Sequence, residues 1–68
     1  MEHLEFETQM ISLKDLLKAS QLVPSGGLAK LIVKEEGVLV NNEPCYVPGK
    51  KLYPGDIVIF DDIKISIV

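Results

Sequence analysis

Gly37 divides the sequence between two hydrophobic periods. Before it, Leu13, Leu16 and Leu17, then Leu28, Leu31 and Ile32, recur at three- and four-residue spacing, which puts each set on one side of a helix. After it, Val38-Leu39-Val40, Ile57-Val58-Ile59-Phe60 and residues 63–68 are apolar runs of strand length separated by turn residues. Local signals sharpen the boundaries. Ser12 with Asp15 has the spacing of a capping box, so a first helix is expected over 12–21. Pro24 cannot continue it, and the Ser25 hydroxyl is placed to cap a second helix over 26–36, with Gly37 at its C-terminal end.

Leu4 and Phe6 alternate with Glu5 and Glu7, which predicts a strand over 3–8 with one face buried. Asn41-Asn42 tolerates positive φ and predicts a tight hairpin between Val38-Leu39-Val40 and residues 43–47, with Pro44 limiting the donors that can pair. Pro48-Gly49 and Pro54-Gly55 bracket 50–53 as a turn-rich connector, and Asp61-Asp62 joins the last two strands. The order is strand, helix, helix, then four short strands or extended segments, an α+β arrangement in one domain spanning 1–68. At this size a core supplies only about 3–5 kcal/mol, and one Cys with one His offers neither a disulfide framework nor a metal cluster as a staple. The acidic start, MEHLEFETQM, is unlike a secretory signal, and no run approaches the roughly 18 apolar residues of a membrane span. A cytoplasmic protein with no membrane partner is the expectation, and the lone Cys45 fits a reducing compartment.

Reactive groups are sparse. The chain has one His, one Cys, no Arg and no G-x-S-x-G elbow, so no catalytic residue, metal site, cofactor or small-molecule substrate is expected. His3 is expected in a frayed terminus, and Cys45 as a half-buried strand cysteine. Glu35-Glu36 and Asp61-Asp62 read as solvated surface, because adjacent carboxylates on a helix diverge by about 100°. The charge distribution is more informative than the net charge of −3. Lys14, Lys18, Lys30 and Lys34 fall within residues 12–34 against Asp15, and Lys50-Lys51 sits in the connector, while acidic residues dominate elsewhere. Lys14/Lys18 and Lys30/Lys34 are each four apart and so share a helical face, off the leucine stripe. Two readings fit: lysines that keep surface helices soluble, or one basic face on an acidic protein, oriented toward a phosphate backbone. The Ser25-Gly26-Gly27 run favours the second, since small residues at a helix start leave backbone donors open to an anion, although no nucleotide-binding motif is present.

Four marks in order, the leucine-rich first helix, S-G-G-x-A-K at 25–30, V-L-V-N at 38–41 and G-K-K-L-x-P-G-D at 49–56, resemble the RNA-binding domain named after small-subunit ribosomal protein four, the S-four domain or alpha-L motif. The resemblance covers residues 11–58 and points to the small stand-alone bacterial branch. It implies two helices packed on a small, mostly antiparallel sheet of four to five short strands. It also implies non-enzymatic binding of structured RNA, ribosomal RNA above all, with a role in ribosome assembly or maturation. By position, Ser25, Gly26, Gly27, Lys30 and Lys34 would supply the helical part of the RNA contact, Asn41 the hairpin edge, and Lys50 and Lys51 the loop.

The sequence departs from the family at Gly26 and Tyr53, where basic residues are common, and at Asn41-Asn42, where Asn-Gly is usual. Lysine brings charge without the planar fork of arginine, so contact with the RNA backbone is favoured over base reading. Tyr46 and Tyr53 either stack on an unpaired base or pack over the core. The rival function is a protein-interaction module on the ribosome or on replication and repair machinery, working through the acidic strands.

Overall fold

The computed structural model describes residues 2–68. Its elements are β1 (Glu2–Phe6), β2 (Ile11–Ser12), α1 (Leu13–Ala19), α2 (Gly26–Glu36), β3 (Val38–Val40), β4 (Glu43–Cys45), β5 (Lys51–Leu52), β6 (Ile57–Phe60) and β7 (Ile63–Ile67). Five strands form one sheet in the order β1-β7-β6-β3-β4, antiparallel except for the β1–β7 pair, and β2 pairs with β5 separately.

Each boundary has a local cause. Ser12 is extended and its Oγ accepts from the Asp15 N–H at 3.3 Å, which starts α1. The helix ends at Ala19, two residues before the expected limit, because Gln21 takes φ +62° and the Leu17 carbonyl accepts from Leu22 and Val23 instead of continuing the helical ladder. Ser25 repeats the capping device with the Leu28 N–H at 3.2 Å, and α2 then runs over the expected 26–36. Gly37 follows at φ +79° and ψ 157°, positive in φ as a glycine cap allows but extended in ψ, so the chain passes directly into β3.

Both short connections in the sheet are two-residue turns with positive φ at each position, 51° and 70° at Asn41-Asn42 and 48° and 66° at Asp61-Asp62. That is the turn whose twist matches a hairpin, and Asn and Asp adopt it more readily than other residues with a side chain. Pro44 lies in β4, at the sheet edge, where its missing N–H costs no ladder bond. Three expectations need correction. Leu28, Leu31 and Ile32 do not form the buried stripe of α2: Leu28 and Leu31 are exposed, Ile32 is half-buried, and the helix turns Ala29 and Val33 into the core instead. The connector over 50–53 contains β5, whose Lys51 and Leu52 pair with Ser12 and Ile11. His3 is not in a frayed terminus but within β1, in register with Lys64 of β7.

The core lies between the helices and one face of the sheet. Leu13, Leu16 and Leu17 of α1 and Ala29 and Val33 of α2 are buried together with Val38, Val40, Val58, Ile65 and Ile67. Alternation along the strands sends Leu39, Ile59 and Lys64 to the opposite face, where they lie side by side in register. Among the described residues, no helix is long and apolar enough to cross a membrane.

Candidate nucleic-acid interface

On α2 the buried residues Ala29 and Val33 fix the rotation of the helix. At about 100° per residue, Lys30 and Lys34 then stand on one flank, next to Gly26, and Ile32 on the other. Both lysines are exposed. Gly26 is where α1 approaches: a Cβ built there would lie 4.0 Å from Cδ of Lys18, so Lys18 reaches over the start of α2 on its lysine-bearing flank. A Cβ at Gly27 would meet nothing within 4 Å, leaving the first turn of α2 open to solvent.

The other end of α1 is tied to the loop that carries the last two lysines of the group. Leu13 N–H donates to the Lys50 carbonyl at 2.9 Å and Lys14 N–H to the Pro48 carbonyl at 3.0 Å, while Lys50 N–H closes a turn onto the Val47 carbonyl at 3.1 Å. Ser12 pairs with Lys51 across β2 and β5. A single short helix therefore links the segments: Lys14 at the 47–50 loop, Lys18 at the start of α2. Lys64 stands apart, on the sheet face turned away from the helices. Among the described residues the ion pair within 4.0 Å is Lys14–Asp15 at 3.6 Å, between neighbours that are both well exposed. The hydroxyl of Ser12, and then the charge of Lys14, hold the Asp15 carboxyl below its ordinary value.

Asn41 is at the hairpin turn, but its side chain is committed to the fold. Its Nδ2 donates to Oδ1 of Asp56 at 3.1 Å and its Oδ1 accepts from the Ile57 N–H at 2.9 Å. The second oxygen of Asp56 accepts from the Tyr53 N–H at 2.8 Å. That backbone bond first, then the Asn41 amide and the charge of Lys50, hold the Asp56 carboxyl below its ordinary value. Asp56 closes the G-K-K-L-x-P-G-D mark, but the sequence assigns it no contact. The signal was its place after Pro54-Gly55, since Asp commonly bonds backbone groups of its own turn.

The residues that could have carried catalysis do not meet. His3 is on β1 and Cys45 on β4, the two opposite edges of the five-stranded sheet. His3 Nε2 is 2.9 Å from Ser66 Oγ, and Cys45 Sγ points at the Val47 carbonyl at 3.7 Å. Among the described residues, no three His, Cys, Asp or Glu side chains gather as a metal site would require. Glu35, Glu36, Asp61 and Asp62 are exposed. What the arrangement offers is an open helix start, lysines on exposed segments, and a loop pinned beside them.

Comparison with known proteins adds two findings. A family model described as the S4 domain matches residues 4–68. The chain is also similar to the probable ribosome maturation protein RlbA of Bacillus subtilis (strain 168), with 46% identity over 55 residues, covering 81% of this chain and 78% of that protein.

Proposed function

The chain belongs to the S4 domain family, and from that premise we propose that it binds structured RNA, ribosomal RNA in a maturing particle, without catalysing a reaction. The observation that carries this reading is the placement of α1. It is tied at its start to the 47–50 loop and brings Lys18 to the start of α2, which supports reading Lys14, Lys18, Lys30, Lys34, Lys50 and Lys51 as one phosphate-facing group. Apart from Lys14, none of these has a carboxylate within 4.0 Å among the described residues, so their charge is available to a polyanion.

Roles follow from chemistry. Ser25 caps α2 by accepting from the Leu28 N–H, which leaves the N–H groups of Gly26 and Gly27, without side chains of their own to cover them, for a phosphate oxygen. Lys30 and Lys34 continue the contact along the helix; Lys50 and Lys51 meet a neighbouring stretch of backbone. Asn41, with both ends of its amide occupied, holds the hairpin against the 53–56 loop and contributes as a positioning residue. With lysines and no arginine, recognition proceeds by shape and phosphate spacing rather than by reading base edges. The relative's name places that protein in ribosome maturation, and the same process, in the cytoplasm, is the setting proposed here.

The test is binding to ribosomal RNA fragments by the wild type and a Lys30→Ala/Lys51→Ala double variant. A loss of about tenfold or more at moderate salt is expected. Equal affinities would overturn the assigned surface. Co-purification with ribosomes that survives nuclease treatment and is untouched by the double variant would move the contact to a protein partner.

A further inference from the structure

Beside the lysines of the 47–51 segment, the β3–β4 hairpin and the following loop enclose an open groove of roughly 510 Å³, lined among others by Glu43, Pro44, Tyr46, Val47 and Lys50. Its walls are fixed. The hairpin turn is held by the Asn41–Asp56 bond, and the loop by the bonds that Lys50 and Pro48 make to the start of α1. One side of the Tyr46 ring is covered. The ring backs onto Gly37 so closely that a Cβ there would lie 2.7 Å from Cε2 and 2.9 Å from Cζ. Yet Tyr46 remains 54% exposed and Val47 60% exposed. An aromatic ring backed on one side and left half in water has apolar surface to bury against a flat partner.

We propose that this groove receives one unpaired nucleotide of the bound RNA, its base against Tyr46 and its phosphate at Lys50. The inference rests on the RNA-binding reading and deepens it. A base is the flat ligand that brings its own anion, and Lys50, with no carboxylate within 4.0 Å among the described residues, stands at the groove to meet it. Glu43 repels phosphate from the hairpin side, which sets the direction of entry. A base inside a duplex already stacks on its neighbours, so the occupant is a bulged or looped nucleotide. One lysine and one ring do not make a mononucleotide site; the groove acts as one station on a polymer whose backbone is held by the other lysines.

The experiment follows backbone amide NMR signals of the full chain against a short single-stranded RNA of mixed sequence and a fully paired RNA duplex. The single strand should move the signals of Tyr46, Val47 and Lys50, and Tyr46→Leu should weaken its binding about tenfold, while Tyr46→Phe retains it. The duplex should move Lys30 and Lys34 and be indifferent to Tyr46→Leu. If the single strand leaves the groove signals in place, or Tyr46→Leu binds it as tightly as wild type, the proposal falls. Lys30 and Lys34 signals that still respond would then leave the broader RNA-binding reading standing. If neither RNA moves any signal, both readings fall.

Discussion

The amide of Asn41 and the carboxylate of Asp56 are joined at 3.1 Å, a bond that locks the turn of the β3–β4 hairpin to the 53–56 loop. Two of the sequence marks, V-L-V-N and P-G-D, are thus the two halves of one clamp. Asp56 also accepts from the Tyr53 N–H at 2.8 Å, so one side chain satisfies two donors. Asp56→Ala should cost about 1–2 kcal/mol, the net worth of the two hydrogen bonds it removes, since the exposed Asn41 amide and Tyr53 N–H then turn to water. Urea denaturation monitored by circular dichroism measures it; an unchanged midpoint would show the clamp to be incidental.

The same clamp predicts a pH dependence. The Asp56 carboxyl sits below the usual value of 3.8 in the folded protein, held there first by the Tyr53 N–H and then by Asn41. A group depressed on folding contributes stability that is complete above its unfolded value and drains away as the pH falls through its folded value. Wild-type stability should therefore decline below about pH 4. Asp56→Asn should show a shallower decline over that window. Asp15, also depressed and held by Ser12, gives the variant a residual slope. Parallel curves for the two proteins would contradict the assignment.

Gly37→Ala should be among the more damaging single-methyl substitutions in the chain. The position has φ +79° with ψ 157°, and the added methyl would meet the Tyr46 ring at 2.7 Å. Strained backbone of this kind costs about 1–3 kcal/mol before the clash is counted. For a domain of this size each kcal/mol lowers the melting temperature by about 4–8 °C. Gly37→Ala/Tyr46→Ala should recover the part due to the ring and not the part due to φ. Full recovery would mean that the backbone conformation is not strained for alanine.

How far the sequence reached depended on whether a feature was local. Ser12 and Ser25 announced both helix starts because a capping hydroxyl acts within three residues, and α2 begins and ends where the pattern puts it. Asn41-Asn42 and Asp61-Asp62 were legible because positive φ selects the residue type. The β2–β5 pair was not. Lys51-Leu52 is too short to show a period, and its partner Ile11-Ser12 lies far upstream, so only the folded chain reveals that the lysine loop is bonded to α1. The site followed the same division. Lys30 and Lys34 on one flank could be read from spacing, whereas Lys18 over Gly26 and the clamp by Asp56 depend on tertiary approach.

Position rather than charge should decide which lysines matter. Lys18 reaches over the start of α2, whereas Lys64 is on the far face of the sheet, opposite Ile59. Lys18→Ala should weaken binding to ribosomal RNA, and Lys64→Ala, which removes the same formal charge, should leave it within about twofold. Fluorescence anisotropy at one fixed salt concentration separates the two. Equal losses would indicate that the protein responds only to its net charge.

The salt dependence of binding should report how many lysines contact phosphate. If about four phosphates are neutralised, log K against log salt should fall with a slope near −3 to −4. Each lysine removed from the interface takes away about one unit, so Lys30→Ala/Lys51→Ala should fall near −2. A slope that stays at the wild-type value while affinity drops would mean that the two side chains support the fold of the surface rather than displace counterions from the RNA. A wild-type slope near zero would remove phosphate contact as the source of affinity. Recognition would then have to come from apolar contact, which Tyr46 and Val47 are placed to make.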